Sequence, residues 1–238
     1  RSVGKFAGMP VMTYVMTEMD YRRMMIKRLM DIVGGLVGVL ITLTFTPFVA
    51  LAIKLESKGP VFFSQVRIGK NGRRFKMYKF RSMYIDAEKR KKDLMAQNEV
   101  KGLMFKMDND PRITKVGQFI RKTSIDELPQ FFNVLKGDMS LVGPRPEIPF
   151  HVEHFKEEIP RYLVRQQVRP GLTGWAQIHG RDELEIVDKA RLDGYYVEHL
   201  SFGMDVKCFF GTIRAVLDHD GVVEGGTGTL HEGENHKK

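Results

Sequence analysis

Two adjacent carboxylates, Asp126 and Glu127, stand between a basic pair, Arg121-Lys122, and the apolar residues Phe131, Phe132, Val134 and Leu135. A few residues on, Leu141-Val-Gly-Pro-Arg-Pro-Glu147 reads as a stiff loop carrying Arg145. Carboxylates, a helix N-terminus and nearby guanidinium groups suit phosphate-ester chemistry with Mg²⁺. The spacing allows two helix starts. Ser124 and Glu127 fit the S-x-x-E capping box, but Pro129 would then lie inside the helix, where its missing N–H removes a bond. With Asp126 at or next to the N-cap, Pro129 falls in the first turn, and this placement is the favoured one. The same two carboxylates could also do no more than cap a helix.

Other segments must hold this stretch in place. Val61–Ile68 is strand-like and Asn71-Gly72 is a strong hairpin turn signal. On the return strand the period-two rule puts Phe75, Met77, Lys79, Arg81 and Met83 on one face, so Lys79 and Arg81 are expected to project side by side. A solvated basic strand fits that pattern about as well, and the alternation of aromatic with basic residues also allows a nucleic-acid surface. Residues 85–101 are densely charged and read as an exposed helix, and Asp108-Asn-Asp-Pro111 as a turn. Residues 148–168 read as two helical pieces divided near Pro160. Arg169-Pro-Gly-Leu-Thr-Gly174 is a turn-rich loop whose backbone could approach a phosphate, or simply a structural turn. Residues 190–199 and 205–217 are helical stretches. The stripe Phe209, Phe210, Ile213, Val216, Leu217 in the latter suits either core or membrane surface.

The N-terminal part carries a different signal. Residues 21–31 read as a basic amphipathic helix, with Met24, Met25 and Leu29 opposite Arg22, Arg23, Lys27 and Arg28. Ile32 to Ile53 is a run of about 22 uncharged, mostly apolar residues, long enough to cross a bilayer core. Pro47 interrupts it, with Thr44 and Thr46 placed to satisfy freed backbone groups. Both flanks are basic, with Lys54 and Lys58 on the far side, which is at odds with a simple span. A helix kinked at Thr46-Pro47 that enters and leaves by the cytoplasmic face accommodates both facts. Gly34, Gly35 and Gly38 could serve close packing or add flexibility.

The totals agree with a folded, membrane-attached protein that handles anions. The 238 residues carry a net charge of +9, which suits nucleic acid, anionic lipid or a phosphorylated substrate. The single cysteine excludes an internal disulfide and a cysteine-rich zinc site. The seven histidines show no metal-ligand spacing. No secretory signal peptide is visible, and the opening on Arg1 reads as part of something longer. The expected organisation is an N-terminal segment 1–20, a membrane part 21–58, a catalytic domain 59–220 and a flexible tail 221–238.

Several of these pieces, taken in order, resemble the bacterial sugar transferase family, monotopic polyprenyl-phosphate hexose-1-phosphate (phosphoglycosyl) transferases. They are Lys27-Arg-Leu-Met-Asp31, Gly59-Pro-Val-Phe-Phe-Ser-Gln65, Tyr78-Lys-Phe-Arg-Ser-Met83 and Asp110-Pro-Arg-Ile-Thr-Lys-Val-Gly117. Arg121–Gln130, Asn133–Pro146 and Arg169-Pro-Gly-Leu-Thr-Gly-Trp-Ala-Gln177 complete the set. The resemblance spans about residues 22–220, and residues 1–20 resemble the end of the extra domain of longer members. It implies an α+β, mainly helical fold: a kinked re-entrant membrane helix plus a cytosolic helical domain with a small β-hairpin. It also implies transfer of a sugar-1-phosphate from a UDP-sugar to undecaprenyl phosphate with release of UMP, starting capsule, exopolysaccharide or glycoconjugate assembly. The family's dyad falls on Asp126, the nucleophile, and Glu127, the Mg²⁺ ligand. Its basic substrate-binding positions fall on Lys79, Arg81, Arg145 and Arg169. The interior Ser-Pro of some members appears as Thr46-Pro47. The implied partners are membrane lipid, UDP-sugar and undecaprenyl phosphate, with no nucleic acid and with a homodimer open. The implied location is the cytoplasmic face of the bacterial plasma membrane. Rival readings are direct transfer with Asp126 as a metal ligand, and a non-catalytic membrane-attached module that binds acidic partners.

Overall fold

In the computed structural model, which describes residues 2–6, 9–13, 21–87, 89–90, 110–180 and 184–217, the apolar run is the middle of one continuous helix, α1 (Tyr21–Glu56). The basic stretch at its start is not a separate helix. No break occurs at Pro47, and the two threonines do not serve as expected. Proline removes the N–H that would bond the Leu43 carbonyl. The Thr44 and Thr46 hydroxyls donate instead to the carbonyls of Leu40 and Thr42, at 3.0 and 2.6 Å. Only 22% of the most apolar window of α1 is buried, so this is not the core helix of a globular domain. Leu36, Leu40, Phe48, Leu51 and Leu55 are all exposed.

The opposite side of α1 is covered along its length. Near its start, Lys27 Nζ donates to Asp205 Oδ2 (2.7 Å), Tyr196 Oη (3.0 Å) and the Val142 carbonyl (2.9 Å). Arg28 donates to the carbonyls of Val134 and Leu135, both at 2.8 Å. Buried Asp31 accepts from Ser140 Oγ and the Leu141 amide, both at 2.8 Å. In the middle, a Cβ on Gly38 would sit 2.1 Å from the Phe131 ring, so this glycine serves close packing. Further along, Val49 and Ile53 join Phe80 and Ile120 in one apolar cluster. At the last residue, Glu56 accepts from the amides of Lys115 and Val116, at 2.7 and 2.9 Å.

The rest of the chain supplies these partners. Strands β1 (Ser2–Phe6) and β2 (Met9–Thr13) pair antiparallel. Strands β3 (Phe62–Ile68) and β4 (Arg74–Phe80) form the hairpin read from sequence, in register from Phe62↔Phe80 to Ile68↔Arg74. Asn71 (φ 54°) and Gly72 (φ 76°) both occupy the left-handed region at its turn, the reason Asn-Gly marks such turns. Helices α2 (Lys115–Lys122) and α3 (Gln130–Lys136) follow, then β5 (Ser140–Val142), α4 (Pro149–Glu158) and a 3₁₀ piece at Tyr162–Gln167. The division near Pro160 is therefore as expected. Strand β6 (Gly171–Thr173) pairs parallel with β5, and α5 (Ile186–Glu198) and α6 (Phe202–Leu217) complete the fold. The fold is mainly helical with a small hairpin, as the patterns imply. Most of the charged stretch 85–101, the start of the Asp108–Pro111 turn and the tail from Gly221 lie outside the described residues.

Candidate active site

The two carboxylates do not open a helix. Helix α2 ends at Lys122, Ser124 turns the chain in the left-handed conformation (φ 55°), and Ile125–Glu127 form a single 3₁₀ turn. Helix α3 begins only at Gln130, with Pro129 in the cap position and no side-chain cap. Both sequence-level starts are thereby corrected: neither Ser124 nor Asp126 caps α3. The physical reason is Pro129, whose missing N–H and fixed φ suit the edge of α3 and not its interior. A 3₁₀ turn advances about 120° per residue, so adjacent side chains point in different directions. Asp126 and Glu127 therefore meet different surroundings.

Glu127 is clamped by two cations. Lys79 Nζ donates to its Oε1 at 2.9 Å, Arg145 Nη2 donates to the same oxygen at 2.5 Å, and Arg145 Nη1 lies 3.3 Å from Oε2. Burial pushes this carboxyl up, but Arg145 and Lys79 outweigh it and hold it well below the usual range. Asp126 is buried and accepts no hydrogen bond among the described residues; its nearest cation is Lys79 Nζ, 3.8 Å from Oδ2. Burial pushes its carboxyl up to about 6, with the Glu127 charge adding and Lys79 opposing.

Three segments converge here, and each is fixed by its own contacts. Strand β4 delivers Lys79. Buried Asn133 of α3 grips that strand by donating to the Lys76 carbonyl (2.7 Å) and accepting from the Tyr78 amide (3.1 Å). The loop after β5 delivers Arg145, and its carbonyl accepts from Arg165 Nη2 at 2.7 Å. Arg165 is itself buried against Asp193, at 2.8 Å. Helix α1 reaches the turn directly, since Thr42 Oγ1 lies 3.0 Å from the Leu128 carbonyl.

The other predicted basic positions fare differently. Lys79 and Arg81 do not act side by side. Arg81 donates to the carbonyls of Lys58 (2.7 Å) and Ser57 (3.0 Å), just past the end of α1, where a cation complements the helix dipole. Arg169 is half-buried and makes no side-chain hydrogen bond or ion pair among the described residues. Its loop carries glycines for a reason visible here: a Cβ on Gly171 would sit 2.1 Å from the Gly143 amide nitrogen, and one on Gly174 2.2 Å from the Gly143 carbonyl oxygen. The close backbone approach expected of this loop is thus made to the Arg145 loop. Sequence reasoning missed Asn133, Arg165 and Asp193. An asparagine inside an apolar helical run was a readable signal for the first, because asparagine is unfavourable there without a partner. Nothing local distinguished Arg165 or Asp193 from solvated charges.

A bacterial sugar transferase family model matches residues 22–219, which include every residue of this site. The chain belongs to the bacterial sugar transferase family. Galactosyl transferase CpsE of Streptococcus agalactiae is 46% identical over 218 residues, covering 91% of this chain and 48% of that relative. The UDP-N-acetylgalactosamine-undecaprenyl-phosphate N-acetylgalactosaminephosphotransferase of Aeromonas hydrophila is 47% identical over 197 residues, 81% of this chain and 44% of its own length. The UDP-glucose:undecaprenyl-phosphate glucose-1-phosphate transferase of Escherichia coli is 42% identical over 214 residues, 87% of this chain and 43% of its own. The chain spans about half the length of these curated relatives. For this family member the donor set can be tested against a divalent metal. Among the described residues no group of three acidic, histidine or cysteine side chains gathers. Mg²⁺ is commonly held by one or two carboxylates together with substrate phosphates, so Asp126 and Glu127 fit such a site in number and kind. Glu127 can serve only as Lys79 and Arg145 shift toward another anion.

Proposed function

We propose that this bacterial sugar transferase moves a sugar-1-phosphate from a UDP-sugar to undecaprenyl phosphate and releases UMP. The names of the relatives support the reaction, and their three different sugars leave the transferred sugar open. The observation that carries the mechanism is the unequal treatment of two adjacent acids. A nucleophile needs uncommitted lone pairs; Asp126 accepts no hydrogen bond among the described residues, while Glu127 accepts three from Lys79 and Arg145. An Asp126 oxygen attacks the sugar-bearing phosphorus; the new O–P bond forms as the bond to UMP breaks, and UMP leaves with the electron pair. An oxygen of the lipid phosphate then attacks the same phosphorus and expels the Asp126 carboxylate. One hard phosphoryl transfer becomes two easier ones.

Lys79 and Arg145 meet the incoming diphosphate by exchanging Glu127 oxygens for phosphate oxygens. The Arg169 guanidinium, on the loop crossing that of Arg145, is a third phosphate ligand in this reading. Arg81 stays a strut under the end of α1. Glu127 would hold Mg²⁺, which neutralises diphosphate charge when bound.

Attachment to the membrane follows from α1. One catalytic domain binds both its ends, through Lys27 and Asp31 at the start and Glu56 at the last residue. A helix crossing to the far side could not keep both sets of contacts. This supports entry and exit on one face, re-entrant and dipping into the lipid. That face is the cytoplasmic side of the bacterial plasma membrane, and the product would start capsule or exopolysaccharide assembly. The test is UDP-sugar plus Mg²⁺ without lipid acceptor. Up to one UMP per enzyme should appear, with a phospho-sugar on Asp126 by intact-protein mass spectrometry. UMP only in the presence of lipid phosphate, with no adduct, would establish direct transfer instead.

A further inference from the structure

The start of α1, the end of α5 and the start of α6 border an open cavity of about 400 Å³ whose lining shares no residue with the site around Asp126. Two cations line it from different elements: Arg23 of α1 and Lys207 of α6. Lys207 is exposed and makes no hydrogen bond or ion pair among the described residues. Glu198 also lines the cavity, but its carboxylate is paired with Arg161. Both helices also expose large apolar side chains: Tyr21 and Met25 on α1, and Phe202, Phe209 and Phe210 on α6. The Lys27–Asp205 ion pair fixes the two helices to each other at this level. A polar cavity lined by two cations, between helices that expose apolar side chains, matches an amphiphile with an anionic head and hydrocarbon tails.

We propose that this cavity receives the phosphodiester head group of an anionic membrane phospholipid, whose acyl chains lie along the exposed faces of α1 and α6. The proposal rests on the membrane attachment argued above. It gives the enzyme a lipid contact separate from its substrate, one that would set the height of the catalytic domain on the bilayer.

The test uses the one tryptophan of the chain, Trp175, which stacks on Tyr195 at 5.9 Å between ring centroids; Tyr195 lines the cavity. The full chain is placed in phosphatidylcholine vesicles doped with either acyl-dansyl phosphatidylglycerol or acyl-dansyl phosphatidylcholine, and energy transfer from Trp175 is recorded. Greater transfer to the anionic probe is expected. Lys207→Gln should lower that preference about fivefold, the weight of one cation near a membrane surface. Gly203→Leu should abolish it with no change of charge. A Cβ at Gly203 meets nothing within 4 Å, so the variant fills the cavity without disturbing the helix. Arg22→Gln, outside the lining, should leave the preference in place. Equal transfer to both probes, or a preference that survives Gly203→Leu, would overturn the proposal in favour of diffuse surface charge. Loss of the preference on adding inorganic phosphate at matched ionic strength would assign the cavity to a soluble anion and also overturn it. Absence of transfer to either probe would instead overturn the membrane attachment itself.

Discussion

The Asp126-Glu127 turn and the foot of α1 are built from the same types of charged side chain, yet their partners differ in kind. At the foot, Lys27, Arg28 and Asp31 bind backbone groups and buried side chains that no ligand can replace. At the turn, Lys79 and Arg145 bind Glu127, a half-buried carboxylate that a phosphate can replace, while Asp126 binds no donor among the described residues. In the proposed mechanism, an ion pair that closes the fold and one that gives way to substrate are told apart by whether the acceptor is exchangeable. The first should govern stability and the second turnover.

The largest effect expected from this contrast is at Asp126. Asp126→Asn removes the anion but keeps the size, and should lower UMP release by about three orders of magnitude or more. Folding should not suffer, because a buried carboxylate without a donor costs stability when ionised. Urea denaturation beside turnover checks both halves. Unfolding of the variant under conditions where wild type is folded would end the comparison.

The reverse pattern belongs to Asp31. Asp31→Ala orphans the Leu141 amide and Ser140 hydroxyl and should cost about 2–4 kcal/mol, read as a lowered denaturation midpoint. The molecules that remain folded should turn over normally. Lys79→Ala or Arg145→Ala should instead reduce kcat/KM by about tenfold with a stability change under about 1 kcal/mol. If Asp31→Ala impairs only turnover, or the two cation variants only stability, exchangeability is the wrong criterion.

A smaller and continuous effect is expected from pH. In the proposed mechanism the Asp126 carboxyl, pushed up to about 6 by burial, attacks in its ionised form. Adduct formation should therefore fall as pH drops through about 6, reaching about a tenth of its plateau near pH 5. The sign for folding is opposite. A carboxyl whose folded value lies above its unfolded one gains stability as pH falls from about 6 toward about 4, because protonation relieves its burial. Loss of activity in this window should precede any loss of structure, and parallel pH profiles of adduct and circular dichroism would show it.

Much of this was legible in the sequence, for identifiable reasons. The Asn71-Gly72 turn was readable because both residues tolerate positive φ. The apolar run announced α1 because helix length is measured against a bilayer. The dyad and Lys79 were legible as residue types in a matched order. What failed was local geometry decided by distant partners. The Asp126-Glu127 turn is 3₁₀ because Pro129 delays α3, and Arg81 serves backbone carbonyls because α1 happens to end beside β4. Arg165 and Asp193 meet across 28 positions of sequence, a pairing that no local pattern encodes.

The smallest effect concerns Pro47, where the two regions meet through α1. Proline leaves the Leu43 carbonyl without its helical donor, and the Thr44 and Thr46 hydroxyls bond other carbonyls. Bending at this point is therefore easier than elsewhere in the helix. Cysteines placed near residues 20 and 58 should both react with an impermeant reagent from one side of sealed vesicles. Pro47→Ala restores the N–H and removes the ring clash, which lowers the free energy of a straight, spanning helix. The contacts of Lys27, Asp31 and Glu56 oppose it, because spanning would tear one end of α1 from the catalytic domain. A minority of Pro47→Ala molecules should then expose one cysteine on the opposite side, and adding Asp31→Ala should enlarge that minority. Labelling of wild type from opposite sides would mean that α1 spans, and the contacts at its two ends could not both belong to the membrane-inserted state.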